Sequence, residues 1–270
     1  MPFAIDDLTS VIAHWSADAI TGLVDGDPVD SMPDSISSWD LAGTTTTRPL
    51  YRPTSAINSL PAVEFDGTND WLQTASSKAI TMPRCVVAEV FRITTLQNYN
   101  PAFYLATTPG LPTHNGSATL LQHITGYTDG HTLYGGYNGG ATYTLTRTGL
   151  TAASTTYMTV TAYSQQMTWQ RMNGLGVRTH SSTGGSPDLS SGTVYASFGD
   201  NNLTLSFSGL MSEIVLFEDG TQSESLYIEG VLAHKYGITL PTTHPFYAAA
   251  PTSGPPTAGA SQTFHPLGGS

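Results

Sequence analysis

The sequence predicts an all-β jelly-roll sandwich, closed by one short C-terminal helix and followed by an extended C-terminal arm. Three observations point there. Short segments rich in Val, Ile, Thr, Tyr and Phe recur along the chain, separated by Gly, Asn, Pro or Ser. Such regular short strands indicate a sandwich or jelly roll rather than βαβ units. Charged residues make up 11% of the 270, against about a quarter in an average globular protein. Thr, Ser, Gly, Pro and Tyr, the residues of sheets and turns, fill the deficit. Only one stretch, near 221–237, carries helical signals. No fixed-period repeat is apparent, which argues against a propeller or solenoid.

The first strand is "VIAHWSA", followed by a turn-rich excursion, "GDPVDSMPDSISSWD", that ends on Trp39. "AVEFDG" alternates Val63 and Phe65 with Glu64, the period of a half-buried strand. "DGTND" is then a turn, "WLQT" a returning strand, and Gly67 the residue expected at positive φ in this hairpin. "RCVVAEVFRIT" is a continuous apolar run suited to a central strand buried on both faces. Cys85 sits in it as a small buried hydrophobe, and one cysteine excludes an intrachain disulfide. Nine further strand segments follow, from "AFYLATT" to "LTLSFSGLMSEIVLFED".

The helix is delimited at both ends. Thr221 and Glu224 have capping-box spacing. Tyr227, Ile228, Val231, Leu232 and Lys235 follow at helical spacing and suggest one narrow apolar stripe. Gly237 stands where a left-handed cap belongs, and Pro241 prevents resumption. Such a helix is expected against the rim or an open edge of the sandwich, where it would block edge-to-edge pairing. Residues 1–247 thus read as one domain. Residues 248–270, "AAAPTSGPPTAGASQTFHPLGGS", are Pro-, Gly- and Ala-rich and cannot build a core alone. They read as an arm with Phe264 and Leu267 as anchors on a partner.

The net charge is -11 with nine Lys and Arg that never cluster. Nucleic-acid binding needs a basic patch, and an anionic membrane surface needs the same, so neither partner is expected. No segment approaches the roughly 20 apolar residues of a membrane span. "MPFAIDDLTSVIAHW" lacks the form of a signal peptide, so synthesis in a cytoplasm is expected, with assembly or lysis as the way out.

"LVDGDPVDSMPDSIS", "PLYRPTSAINSLPAVEFDGTNDWL" and "LMSEIVLFEDGTQSESLYIEGVLAHKYGITLPTTHPF" together resemble the laminin G-like (concanavalin A-like) jelly-roll domains of phage virion proteins and some large bacterial surface proteins. Pro61 to Leu72 match the pattern P-A-V-x-F-D-G-x-x-D-x-L. Glu229, Gly230, Leu232, Ala233, His234, Lys235, Gly237, Leu240, Pro241, His244, Pro245 and Phe246 match the closing motif. The resemblance frames residues 8–247 and leaves 95–205 recognisable only as strand-rich. It implies a noncatalytic structural protein on a phage virion: a capsid decoration, head spike or tail fibre component. It implies virion proteins as partners of the arm, and a homo-oligomer, trimers being common among such spikes and fibres. His234 and His244 then read as structural hydrogen-bonders.

The residues bear on four chemistries. Glycosidases use two carboxylates. "EFDGTND" begins such a pattern with Glu64 and Asp66, but a turn interrupts it. Laminin G-like relatives often hold calcium near the rim, and Asp66, Asn69 and Asp70 offer oxygen ligands in one turn. The run Asp25, Asp27, Asp30 is a second acidic turn. No other cofactor is expected: the His and Cys spacing makes no zinc site, and neither a nucleophile elbow nor a phosphate loop is present. The fourth is glycan or receptor binding. "TGYTDGHTLYGGYNGG" gathers Tyr127, Asp129, His131, Tyr134, Tyr137 and Asn138, the aromatic and polar groups that a shallow polar site or a protein interface uses. The alternative function is therefore an adhesin module for host surface glycans, with a glycan depolymerase third.

Overall fold

The computed structural model describes residues 4–80, 84–95, 100–106, 119–127, 130–136, 142–148, 155–164, 167–181, 193–199, 207–218 and 222–255. In chain order the strands are β1 (Val11–Ser16), β2 (Ser31–Met32), β3 (Leu41–Ala42), β4 (Leu50–Arg52), β5 (Ala62–Asp66), β6 (Trp71–Thr74), β7 (Lys78–Ala79), β8 (Arg84–Ile93), β9 (Asn100–Ala106), β10 (Thr119–Tyr127), β11 (Gly130–Gly136), β12 (Thr142–Thr148), β13 (Thr156–Ser164), β14 (Met167–Met172), β15 (Leu175–Ser181), β16 (Thr193–Gly199) and β17 (Ser208–Phe217). One helix, α1, spans Gln222–Tyr236. The strands form two antiparallel sheets. The first runs β15-β14-β13-β8-β17-β5-β4, with β1 also on β17. The second runs β12-β11-β10-β9-β16-β6-β3-β2, with β7 on β16. This is the β-sandwich that the strand pattern predicts.

Alternation along the strands builds two cores. Trp15, Phe65, Phe91, Phe103, Phe198 and Phe207 fill the space between the sheets. Phe65 and Phe198 meet edge-on at 4.7 Å between ring centroids, and Phe198 meets Phe207 at 5.5 Å. Burying one such side chain contributes roughly 1.5–3 kcal/mol. The opposite face of the first sheet carries the second core: Val86, Ala88 and Val90 of β8, Met158 and Val160 of β13, and Val215 and Phe217 of β17. Tyr227, Ile228, Leu232, Ala233 and Tyr236 of α1 cover it. That is why β8 reads as a continuous apolar run: both of its faces are buried. Cys85 is fully buried on the inner face, and burial pushes its thiol pKa up.

Three expectations need correction. The helix does not guard a rim or edge; it lies across the middle of the first sheet's outer face, against β8 and β13. Its buried surface is wider than one stripe, because Ser225, Glu229 and Gly230 are buried as well. Glu229 is hidden by polar partners, a contribution that apolar periodicity cannot register. The turn after β5 is not a hairpin. Gly67 does have φ +77°, but β5 pairs with β4 and β17 while β6 pairs with β3 and β16, so the turn carries the chain from one sheet to the other. Pairing partners far apart in sequence leave no local signal. A two-residue hairpin does occur at Asn173-Gly174, both at positive φ, between β14 and β15.

The end of α1 follows the reading. Gly237 has φ +67°, and Ile238 N donates to Ala233 O at 2.8 Å. Asn58 Nδ2 donates to the carbonyl of Lys235 at 3.0 Å. Thr221, the expected cap, lies outside the described residues, as do the arm anchors Phe264 and Leu267. The chain beyond α1 folds back over the helix. A Cβ at Gly230 would lie 2.7 Å from Phe246 Cδ2. Gly230→Ala is therefore expected to lower stability by about 1–3 kcal/mol, the usual cost of overpacking, although Ala is intrinsically the better helix former by about 1 kcal/mol. Thermal unfolding checks this. An unchanged or higher Tm would mean that Phe246 is not held on the helix.

Candidate functional site

Directly paired residues lie on one face of a sheet. On the second sheet the register aligns Thr144, Tyr134, Gln122, Tyr104, Ser197, Gln73 and Ala42 in one row across seven strands. Phe103, Leu105, Leu72, Ala196 and Phe198, the alternate residues, belong to the inter-sheet core. The row is thus on the sheet's outer face, on the far side of the sandwich from α1. Its central members are withdrawn from bulk water: Tyr104 and Ser197 are 0% exposed and Gln73 8%. Gln73 Nε2 donates to Ser197 Oγ at 2.7 Å. Trp71, paired with Gly199, and Tyr195, paired with Ala106, share this face and are half-buried.

The structure sorts the sequence candidates. Tyr134 is in the row. Tyr127 pairs with Gly130, whose other partner is Thr148, so Tyr127 belongs to the same face. His131 pairs with Thr125 and Arg147, the alternate register, and belongs to the opposite face. Asp129, Tyr137 and Asn138 lie outside the described residues. Tyr104, Ser197, Gln73, Trp71 and Tyr195 were missed. Their local signal was present, a polar or aromatic residue at every second position of "AFYLA", "VYASF" and "WLQT", but the strand order that aligns them was not.

The acidic turn is engaged in its own backbone. Asp66 Oδ1 accepts from Thr68 N at 2.7 Å and Asn69 N at 3.3 Å, and Asp70 Oδ2 accepts from Asp66 N at 2.9 Å. Asn69 Nδ2 donates to Thr46 O at 2.8 Å. Burial pushes the Asp70 carboxyl pKa up, opposed by that backbone hydrogen bond. These bonds account for the three residues as turn formers, and among the described residues no group of three or more His, Cys, Asp or Glu is placed to hold a metal. Glu64 is held by Arg52 Nε at 2.5 Å, and Arg52 also reaches Asp25 at 3.3 Å. Asp27 Oδ2 accepts from Val24 N, and Asp30 pairs with Arg48.

Buried ionisable groups elsewhere fasten the helix. Glu213 of β17 accepts from His14 Nε2 at 2.8 Å, Tyr236 Oη at 2.5 Å and Lys235 Nζ. His14 Nδ1 lies 2.5 Å from Asp6, and Lys235 lies 2.7 Å from Asp18. Glu229 takes Arg171 Nε at 2.8 Å and His244 Nε2 at 3.1 Å. His234 Nε2 donates to Phe246 O at 2.8 Å. Both histidines of the closing motif are hydrogen-bonders of the fold, as expected. A further polar group lies inside the sandwich, where Thr159 Oγ1 donates to fully buried Glu89 at 3.1 Å.

No protein-family model matches the chain, and no curated protein matches it. Solved structures do. The fold is similar to domain 4 of AbnA, a GH43 extracellular arabinanase from Geobacillus stearothermophilus, in complex with arabinotriose. The TM-score is 0.55 at 14% identity, over 77% of this chain and 92% of that domain. It is also similar to Trypanosoma rangeli sialidase in complex with 2,3-difluorosialic acid, with TM-score 0.50 and 11% identity. That match covers 80% of this chain but 32% of the sialidase, so the chain spans about a third of that enzyme. At such identities the likeness shows the fold, a β-sandwich.

Proposed function

We propose that this protein is a noncatalytic carbohydrate-binding module whose ligand lies along the outer face of the second sheet. One observation carries the reading: Tyr134, Gln122, Tyr104, Ser197 and Gln73 form a continuous row of hydroxyl, amide and aromatic residues on five paired strands. Sugars present hydroxyls for hydrogen bonds and apolar ring faces for aromatic contact, and such a row offers both. Five strands span roughly 19 Å at about 4.8 Å per strand, room for an oligosaccharide rather than one sugar. Tyr104, Ser197 and Gln73 are buried and floor this face, and half-buried Trp71 and Tyr195 are the described side chains on it that a ligand can touch. The similar arabinanase domain, determined with arabinotriose, supports the reading. Binding is favoured over hydrolysis because cleavage by the usual route takes two carboxylates, and the described positions of this face hold none.

Trp71→Ala and Tyr134→Ala are each expected to weaken oligosaccharide binding at least about tenfold, or ~1.4 kcal/mol, with the thermal midpoint kept. Titration calorimetry on ligands from a glycan array checks this. Unchanged affinity in both variants would move the site elsewhere.

The setting is the surface of a phage virion, a reading carried by the sequence motifs and the arm. A glycan-binding face suits a particle that must recognise a host, and in this reading the arm docks on another virion protein within a symmetric homo-oligomer. Deleting residues 248–270 is expected to abolish incorporation into particles. Normal incorporation of the truncated protein would refute the anchoring role.

A further inference from the structure

Resting on the glycan-binding reading, we propose that this face selects uncharged glycans and rejects both acidic and amino sugars. The chain has 20 Asp and Glu, yet the strands of the second sheet contain none of them among the described residues. Their only Lys and Arg are Lys78 and Arg147. Neither belongs to the row's face: Lys78 pairs with the inter-sheet core residue Val194, and Arg147 pairs with His131 on the opposite face. Lys78 is also committed, donating to Ile12 O and Ser37 Oγ at 2.8 Å each.

A chain that is 11% charged could leave nine short strands without carboxylates by modest bias. The outer face of the other sheet shows that the bias is local. There Glu64 and Arg52 meet on neighbouring strands, and Glu213 and His14 do the same. Among the described residues, charge is tolerated on one outer face and missing from the other.

The consequence for a ligand is direct. A sialic or uronic acid carboxylate laid on this face beside Trp71 and Tyr195 would lose water and gain no cation among the described residues, and burying an unpaired charge is strongly unfavourable. The net charge of -11 adds long-range repulsion. A glucosamine polymer would meet the mirror problem, an ammonium without a carboxylate. A neutral hexose or pentose chain has only hydroxyls and ring faces to satisfy, which amides, hydroxyls and aromatic rings can do.

The test is binding of the full chain to three immobilised sets of matched length: neutral oligosaccharides, sialylated or uronic-acid oligosaccharides, and chitosan oligomers. Each is read at ~0.05 M and ~0.5 M salt, conditions that change the screening length severalfold. The expected result is binding to at least one neutral glycan, with affinity changing less than about twofold between the two salts, and at least about tenfold weaker binding to every charged set. Equal or tighter binding to a charged set, or a steep loss with salt, overturns the proposal while leaving the glycan-binding reading intact. Binding to none of the sets overturns that reading, and this inference with it.

Discussion

Glu213→Ala is expected to cost the fold roughly 3–5 kcal/mol, the penalty for removing one partner of a buried ionic group. Glu213 is 1% exposed and collects three donors, from β1 and from the last turn of α1. Its loss leaves His14 and Lys235 leaning on the more exposed Asp6 and Asp18. At about 2–4 °C per kcal/mol for a chain of this size, the midpoint should fall on the order of 10 °C. The pH dependence gives a second readout. Burial alone would lower the His14 pKa, but the carboxylates of Asp6 and Glu213 more than reverse it and raise it from 6.5 to about 9. A raised folded value means that the contribution is complete below the unfolded value of about 6.5 and is lost as pH rises through 9. Glu213 runs the other way. Burial raises it, but His14 and Lys235 hold it below its ordinary 4.5, so its contribution is present above that value and lost as pH falls. Tm should be greatest between about 4.5 and 6.5 from these two groups, with an alkaline decline that His14→Gln flattens. A wild-type Tm that stays level from neutral pH to 10 would contradict the His14 assignment.

Glu229→Ala is expected to be of the same size, roughly 3–5 kcal/mol, with an effect confined to a different part of the chain. Glu229 joins Arg171 of β14 to His244 beyond the helix, and all three are buried. Phe246 N donates to His244 Nδ1 at 3.2 Å, which makes that nitrogen the acceptor and leaves Nε2–H for Glu229. The chain after α1 is therefore seated by one carboxylate, by Phe246 on Gly230 and by His234 on the Phe246 carbonyl. Removing Glu229 takes a buried carboxylate from beside Arg171 and releases that seat. Limited proteolysis should then cut within 238–255 well before the sandwich, and Tm should drop by about as much as in Glu213→Ala. Resistance of that segment in the variant, with an unchanged Tm, would contradict the clamp.

These two clusters also show where sequence reading succeeds and where it stops. The strands of the sandwich, the helix and its glycine cap are local patterns, and period-two alternation, apolar spacing and left-handed Gly237 made them legible. The position of α1 was not, because "VVAEVF" shows that both faces of β8 are buried without saying what buries the second. Nothing local in "LMSEIV" or "YIEGVL" marks Glu213 or Glu229 as buried; among their partners are His14, 199 residues away in β1, and Arg171, 58 away in β14. The candidate face failed in the same way. Tyr134 and Tyr127 could be chosen for their chemistry in one loop-rich stretch. Tyr104, Ser197 and Gln73 become their companions only through the order β11-β10-β9-β16-β6, which nothing in the sequence specifies.

We propose that a neutral glycan occupies the outer face of the second sheet. Amide hydrogen exchange with and without a bound neutral oligosaccharide tests it most directly. Slowed exchange is expected in β6, β9, β10, β11 and β16, with α1 and the segment after it unchanged. Protection confined to α1 and residues 238–255, with those five strands unaffected, would contradict it.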